Sequence, residues 1–382
     1  MKYVVIALLT FCFFSCKKSG PPHQPPVNPP DTIVITDPTD TSIITYRGAD
    51  LSFLPEIEEN NVLFYKGTTA TPVLDIMKSY GCNLVRVRLW YQPANEHSGL
   101  EEVLAFCKTI HDKGMQIFLD FHYSDTWTDP ANQATPAAWA ALDINDLQDS
   151  VFEYSKRVIG FLKAQNTLPA IVQVGNETNG GMLWNTGKVY NGSTENWTDY
   201  ASLVKKAIEG IRSEDLENKI KIMLHYGGID GADYFFSHIK QQQVAYDMIG
   251  VSYYPWWSTT NLATVQQTLN ALAATYNKPV MIAETAYPFT LQWNDNTNNV
   301  VGLSNQLITG YAATQEGQLA FLTKLRNIVA NIPNNMGAGF CYWEPDWVAF
   351  SGGIVIEGSS WENLTLFDFS NKALPGMQAY HE

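Results

Sequence analysis

The 382-residue chain is short of positive charge, with 24 Lys and Arg against 38 Asp and Glu and a formal net charge of −14. A nucleic-acid partner needs a basic face to hold phosphates, which argues against that class. An acidic polymer is disfavoured as a substrate on the same ground, and a neutral ligand fits better. Cysteine is scarce, with five in the chain. The three in the body, Cys82, Cys107 and Cys341, are odd in number and widely spaced, so neither a disulfide framework nor a metal knuckle can be read from them. They are expected to be small buried hydrophobes. The apolar run from Tyr3 to Phe14 is too short to span a membrane. No glycine-rich phosphate loop follows the first β-like segment, which removes the usual signature of a dinucleotide-binding sheet.

What the chain does contain begins with that apolar run. It follows Met1-Lys2 and ends in Phe13-Phe14-Ser15-Cys16-Lys17-Lys18, the pattern of an export signal. A small residue directly before Cys16 gives the outline of a bacterial lipobox; Cys12, behind the bulky Phe11, is the weaker candidate. Residues 1–15 are therefore expected to be a lipoprotein signal peptide, with cleavage before Cys16 and a lipid anchor on it. The protein would then be exported and membrane-anchored, facing the periplasm or the cell exterior. Residues 16–45 carry seven prolines between Pro21 and Pro38 among Thr, Asp and Ser, an extended tether. From Tyr46 the composition turns globular and stays so, which defines one domain over 46–382, expected to act as a monomer.

Within that domain short β-like runs alternate with longer helical patterns. The β-like runs are Ile44–Phe53, Leu84–Trp90, Gln116–Tyr123, Ala170–Thr178, Ile220–Tyr226, Met248–Pro255, Pro279–Thr285 and Gly337–Glu344. Helical stretches include Leu100–Lys113, Asp146–Ala164, Trp197–Arg212, Ala263–Tyr276 and Gln315–Ile332. Leu147, Val151, Tyr154 and Val158 show the three-to-four spacing of an amphipathic helix. Eight strands alternating with helices give the α/β class and a single (β/α)8 TIM barrel. A doubly wound sheet is the alternative.

Chemistry in such barrels gathers at the C-terminal strand ends, and there this chain concentrates its polar and aromatic residues. In order they are Asp50; Arg86 and Arg88; Asp120, His122 and Asp125; Asn176 and Glu177; His225; Tyr254; Glu284; and Trp343 with Glu344. Glutamates ending the fourth and seventh strands face each other across the barrel mouth. Glycosidic bond cleavage needs one carboxylic acid to protonate the leaving oxygen, and one carboxylate to attack the anomeric carbon or activate water. The neighbours suit supporting roles. Asn176 is placed to bond a sugar 2-hydroxyl. Arg86 or Arg88, on one face of their strand, can hold the nucleophile ionised, and Tyr254 can donate to it. Trp343 offers a flat face for a sugar ring, and the chain is rich in such faces, with 11 Trp, 19 Tyr and 18 Phe. A metal-dependent hydrolase using His122 and His225 is a lesser alternative, as is a glycan-binding lipoprotein that does not cut.

Five longer stretches carry a resemblance. They are Arg47-Gly48-Ala49-Asp50-Leu51-Ser52; Asn83-Leu84-Val85-Arg86-Val87-Arg88-Leu89-Trp90; Asp120-Phe121-His122-Tyr123-Ser124-Asp125-Thr126-Trp127; Gln173-Val174-Gly175-Asn176-Glu177; and Ala283-Glu284-Thr285-Ala286-Tyr287-Pro288. In this order they resemble glycoside hydrolase family 53, the arabinogalactan endo-β-1,4-galactanases of clan A. The resemblance implies Glu177 as acid/base and Glu284 as nucleophile, with retention of configuration. It implies β-1,4-galactan, the side chain of type I arabinogalactan, as the partner. Another clan A endo-glycanase (mannanase, xylanase or glucanase) would share the same glutamates. Asp50, Arg86, Arg88, His122, Asp125, Trp127, Asn176, His225, Tyr254 and Trp343 form the expected substrate-binding set. No cofactor is required. Some bacterial relatives hold calcium after strand seven, which draws attention to Asp295, although a polar turn accounts for that segment and no metal is assigned to it.

Overall fold

The structure is a computed structural model that describes residues 44–350 and 358–381. The expected signal peptide, Cys16 and all of the tether before residue 44 lie outside the described residues. Eight parallel strands close into a barrel, each hydrogen-bonded to its neighbours in sequence, with the last paired to the first. They are β1 (Tyr46–Asp50), β2 (Leu84–Leu89), β3 (Gln116–Phe121), β4 (Ile171–Val174), β5 (Lys221–Tyr226), β6 (Met248–Tyr253), β7 (Val280–Thr285) and β8 (Gly337–Trp343). All eight expected strands form, trimmed mainly at their C-terminal ends. Beyond β4, for instance, Gly175 (φ 81°) and Glu177 (φ 47°) lie in left-handed backbone that a strand does not accommodate.

Helices pack outside this barrel: α1 (Val73–Ser79), α2 (Leu100–Asp112), α3 (Ile144–Ala164), α4 (Trp197–Glu214), α5 (Ala232–Gln241), α6 (Leu262–Tyr276) and α7 (Gln315–Ala330). The starts of several are set by side chains that accept otherwise unpaired N–H groups. Asp143 caps α3, Asn196 caps α4, Asn261 caps α6 and Thr314 caps α7. Leu147, Val151, Tyr154 and Val158 of α3 are all buried, as their spacing requires.

Alternation along each strand sorts side chains into two cores. Val85, Val87, Leu119, Phe121, Val172, Val174, Leu224, Ile249, Val251 and Ile282 face the helices. Leu84, Phe118, Ile171, Met223, Met248, Met281 and Cys341 fill the lower barrel interior. Gly250 makes room there, because a Cβ on it would meet the Met223 sulfur at 2.4 Å. The body cysteines are free and buried. Above this apolar plug the inward positions turn polar: Asp50, Arg86, Asp120, Gln173, His225 and Ser252, all at most 1% exposed. That layer forms the floor of the cleft.

Candidate active site

Glu177 and Glu284 reach the cleft by different backbone devices. Glu177 sits at φ 47° just past β4, a conformation that non-glycine residues adopt only when their surroundings hold it. Gly227 leaves the space beside it, since a Cβ there would meet the Glu177 carboxyl carbon at 2.8 Å. Glu284 depends on a β-bulge. Val251 of β6 lies opposite Ile282, but Ser252 lies opposite Glu284, so Ala283 is an extra residue in β7. Strict alternation from Met281 would point Ala283 inward and Glu284 outward. The bulge re-aims Glu284 into the barrel.

The two carboxyls meet at the mouth. One oxygen of each, with a ring nitrogen of His225, lies within 4.8 Å of the others. Their surroundings differ. Glu284 takes the Arg86 guanidinium at 2.9 Å on Oε1 and the Tyr254 hydroxyl at 3.0 Å on Oε2. Glu177 Oε1 accepts from the Ser252 hydroxyl at 2.5 Å. Burial pushes the Glu177 carboxyl up to about 7. Burial also raises Glu284, and the Glu177 charge adds to that push while Arg86 opposes it. A guanidinium in direct contact stabilises only the ionised form. Burial lifts Glu284 slightly further than Glu177, to about 8, and by itself that order would leave the proton on Glu284. The direct ion pair with Arg86 at 2.9 Å outweighs that order, and on this contact the negative charge is assigned to Glu284 and the proton to Glu177.

Arg86 organises this layer. Besides Glu284 it holds Asp50 at 2.6 Å and Asp120 at 2.9 Å, and it donates to Gln173 and Asn176. Asp120 also accepts from Gln173 and lies 3.0 Å from His122 Nε2, and His122 Nδ1 accepts the Thr128 N–H. Asn176 lines the cleft but is largely committed, donating to the Thr128 carbonyl and accepting from Arg86 and Gln173. Of the two arginines weighed for the nucleophile, Arg86 makes the contact. Arg88 turns instead to Glu344 at 2.8 Å and lies 4.2 Å from the ring centres of Phe53 and Trp127. It thereby packs against Trp127, which also meets Trp90 and Trp343.

The cleft measures about 460 Å³, and its lining includes Asp50, Arg86, Arg88, His122, Trp127, Asn176, Tyr254 and Trp343 from the expected set. Trp127 and Trp343 stand 6.1 Å apart by ring centre, and Trp361 packs edge-on to Trp343 at 4.6 Å. Two residues of the expected sugar-binding set lie outside the cleft lining. Asp125 lies away from the cleft lining and accepts the main-chain N–H groups of Gln92 and Ala137, bracing its own loop. His225 is fully buried beneath the cleft, its nitrogens engaged by Asn176, the Glu177 N–H and Ser252. Sequence reasoning gave no role to Ser252, Gln173, Trp257 or Trp361. Ser252 shares the inward parity of Met248 and Gly250, but parity marks only an inward position and not the contact with Glu177.

Among the described residues, Glu177, His225 and Glu284 are the one group of His, Cys, Asp or Glu close enough to hold a metal ion. They do not suit one: Arg86 already puts a cation on Glu284, and both His225 nitrogens are engaged, Nε2 by Ser252 and Nδ1 by the Glu177 N–H.

A parallel eight-stranded barrel, with two carboxyls opposed in a tryptophan-walled cleft at the C-terminal strand ends, defines a glycoside hydrolase. The chain belongs to glycosyl hydrolase family 53, whose model matches residues 46–380. It is 37% identical to an arabinogalactan endo-β-1,4-galactanase of Cellvibrio japonicus, over 86% of this chain and 89% of that one. A protein of the same description from Thermothelomyces thermophilus is 34% identical, over 88% and 99%. Among solved structures, the family 53 catalytic domain of Ignisphaera aggregans superposes with a TM-score of 0.82 at 31% identity, covering 89% of this chain and 99% of that one.

Proposed function

We propose that the protein is a retaining endo-β-1,4-galactanase acting on the galactan side chains of type I arabinogalactan. The observation that carries the mechanism is the separation of Glu177 and Glu284, with oxygens within 4.8 Å. Retaining enzymes hold their carboxyls about 5–5.5 Å apart, whereas inverting ones leave about 6.5–9.5 Å for a water. Glu284, held ionised by Arg86, attacks the anomeric carbon while Glu177 gives its proton to the leaving oxygen. Esterification of Glu284 removes its negative charge, so Glu177 becomes a better acid towards solvent and then serves as base towards water. Trp343 supplies a stacking face beside the scissile bond. Galactan, being neutral, suits an acidic protein. The testing experiment is reducing-end release from β-1,4-galactan, mannan, xylan and carboxymethylcellulose in parallel. Activity on galactan alone supports the proposal. Activity on another polymer overturns the substrate, and activity on none favours a binding protein.

No step in this mechanism calls for a cofactor, so EDTA is expected to leave kcat unchanged. Calcium is a separate, structural question. In the loop after β7 the Asp295 carboxylate accepts N–H groups from Thr297 and Ser359, as in a polar turn. Beside it Thr297 Oγ1, Asn299 Oδ1 and Glu362 Oε2 are buried without a hydrogen-bond partner, and oxygen donors of this kind suit calcium. Chelation is then expected to lower the melting temperature by several degrees, restored by added calcium. A melting curve indifferent to both would mean that the segment is only a turn.

We also propose export and lipid anchoring through Cys16. Cys16→Ser is expected to move the protein from the membrane fraction to the soluble one; unchanged fractionation would dispose of the lipobox.

A further inference from the structure

Glu177 is tied to itself through two other residues. Its main-chain N–H points at His225 Nδ1 at 3.4 Å. His225 Nε2 lies 3.0 Å from Ser252 Oγ, and Ser252 Oγ lies 2.5 Å from Glu177 Oε1. His225 and Ser252 are at most 1% exposed.

The direction of each bond follows from counting donors. Burial, with Arg86 nearby, holds the His225 ring well below its usual range, so it is neutral and has one N–H and one bare nitrogen. Nδ1 faces a donor, the Glu177 N–H, and an acceptor, Asn176 Oδ1 at 3.1 Å. Asn176 Oδ1 is already supplied by Arg86 and Gln173. The Glu177 N–H has no other acceptor, and a buried N–H left unpaired is costly. Nδ1 is therefore the bare nitrogen and Nε2 carries the proton. Nε2–H donates to Ser252 Oγ, which leaves the single Ser252 proton for Glu177 Oε1. All three bonds run one way, from the Glu177 main chain round to its own carboxyl.

Taking Glu177 as the acid/base, on which this inference rests, we infer that Ser252 and His225 are positioning residues that decide which Glu177 oxygen carries the transferable proton. Oε1 always accepts from Ser252, and an O–H on Oε1 would face another O–H. The proton is confined to Oε2, which takes no hydrogen bond from the described residues; Glu177 lines the cleft, and Oε2 is the oxygen left to meet the leaving group there. In the second step Oε2 is again the free oxygen and takes the proton from water. The same bond favours the ionised form, which opposes the effect of burial. The other ionisable groups facing Glu177 are Arg86 of β2, Asp120 of β3, Asp129 after β3, His225 of β5, Tyr254 after β6 and Glu284 of β7. None of them bonds Oε1.

The test uses Ser252→Ala, with Ser252→Thr as the conservative control. Each is assayed on galactan, whose sugar leaving group needs an acid, and on an aryl galactoside with a leaving group that does not. Ser252→Ala is expected to lower kcat on galactan about ten- to a hundred-fold, the range for one hydrogen bond to a charged group. Its kcat/KM on the aryl substrate, which reports the first step alone, should change little, and the alkaline limb of the pH profile should move up, because a bond favouring the ionised form is gone. Ser252→Thr keeps the hydroxyl and should restore both. His225→Gln, which offers an amide N–H to Ser252, should fall between. Equal losses on both substrates with an unmoved pH profile, or restoration by neither conservative variant, overturn the inference. Glu177→Gln in the same assays separates the two ideas: if it loses no activity on galactan, the acid/base assignment itself has failed.

Discussion

Glu284→Gln is expected to leave no measurable turnover of β-1,4-galactan, and Glu177→Gln to lower it by about 10²–10⁴-fold, the usual range for losing a general acid/base. Both proteins should remain folded, because the amides match the carboxyls in size and keep a carbonyl oxygen for the bonds from Tyr254 and Ser252. The losses should differ in kind. An amide at 284 cannot attack the anomeric carbon whatever the leaving group. An amide at 177 cannot protonate the leaving oxygen, so an aryl substrate should still react in the first step. The pH dependence follows from the same burial. The Glu177 carboxyl is pushed up to about 7, and its protonated form is the acid. With wild-type protein kcat/KM should therefore fall as pH rises through about 7. Stability carries the opposite sign from the usual carboxylate case. A carboxyl raised on folding binds its proton more tightly in the folded state, so stability declines as pH rises from the ordinary carboxyl range through about 7. Glu177→Gln removes that liability and should melt higher than wild type at pH 8. A wild-type rate on galactan from either variant would cancel the role given to that residue.

Arg86→Met should lose both activity and fold stability. The guanidinium is 1% exposed and compensates Asp50, Asp120 and Glu284 at 2.6–2.9 Å. Removing one partner from a buried ion pair costs about 3–5 kcal/mol, since the other charge is left uncompensated, and here three carboxylates share the cation. Arg86→Lys tests geometry against charge. An ammonium is a point charge on a single stem and does not present the planar fork that reaches several acceptors. Lysine should recover part of the stability and little of the rate. Denaturant unfolding of the three proteins, alongside kcat on galactan, measures both effects. Wild-type stability in Arg86→Met would mean that the polar floor is not held by this cation, and the argument for an ionised Glu284 would go with it.

Read as a sequence, the chain already contained the barrel. Eight β-like runs, an amphipathic spacing such as Leu147-Val151-Tyr154-Val158 and polar residues at one end of each run are local signals, and burial in a layered fold makes them regular. The two glutamates were legible for the same reason, each at a strand end within a long motif. What only the tertiary structure decided depends on contacts between strands. Alternation counted from Met281 turns Glu284 outward; the bulge at Ala283, visible only against β6, turns it in. Arg86 and Arg88 are equivalent in sequence, and the strands opposite them separate their roles by supplying Glu284 to one and Glu344 to the other. His225 and Asp125 were expected at the sugar because both sit at strand ends, but a strand end can lie beneath the cleft or beside it, and depth is set by how neighbouring loops close over it. Ser252 drew no notice because a lone serine carries no signal of its own; it gains one only when folding brings it to the Glu177 carboxyl, 75 positions away in the chain.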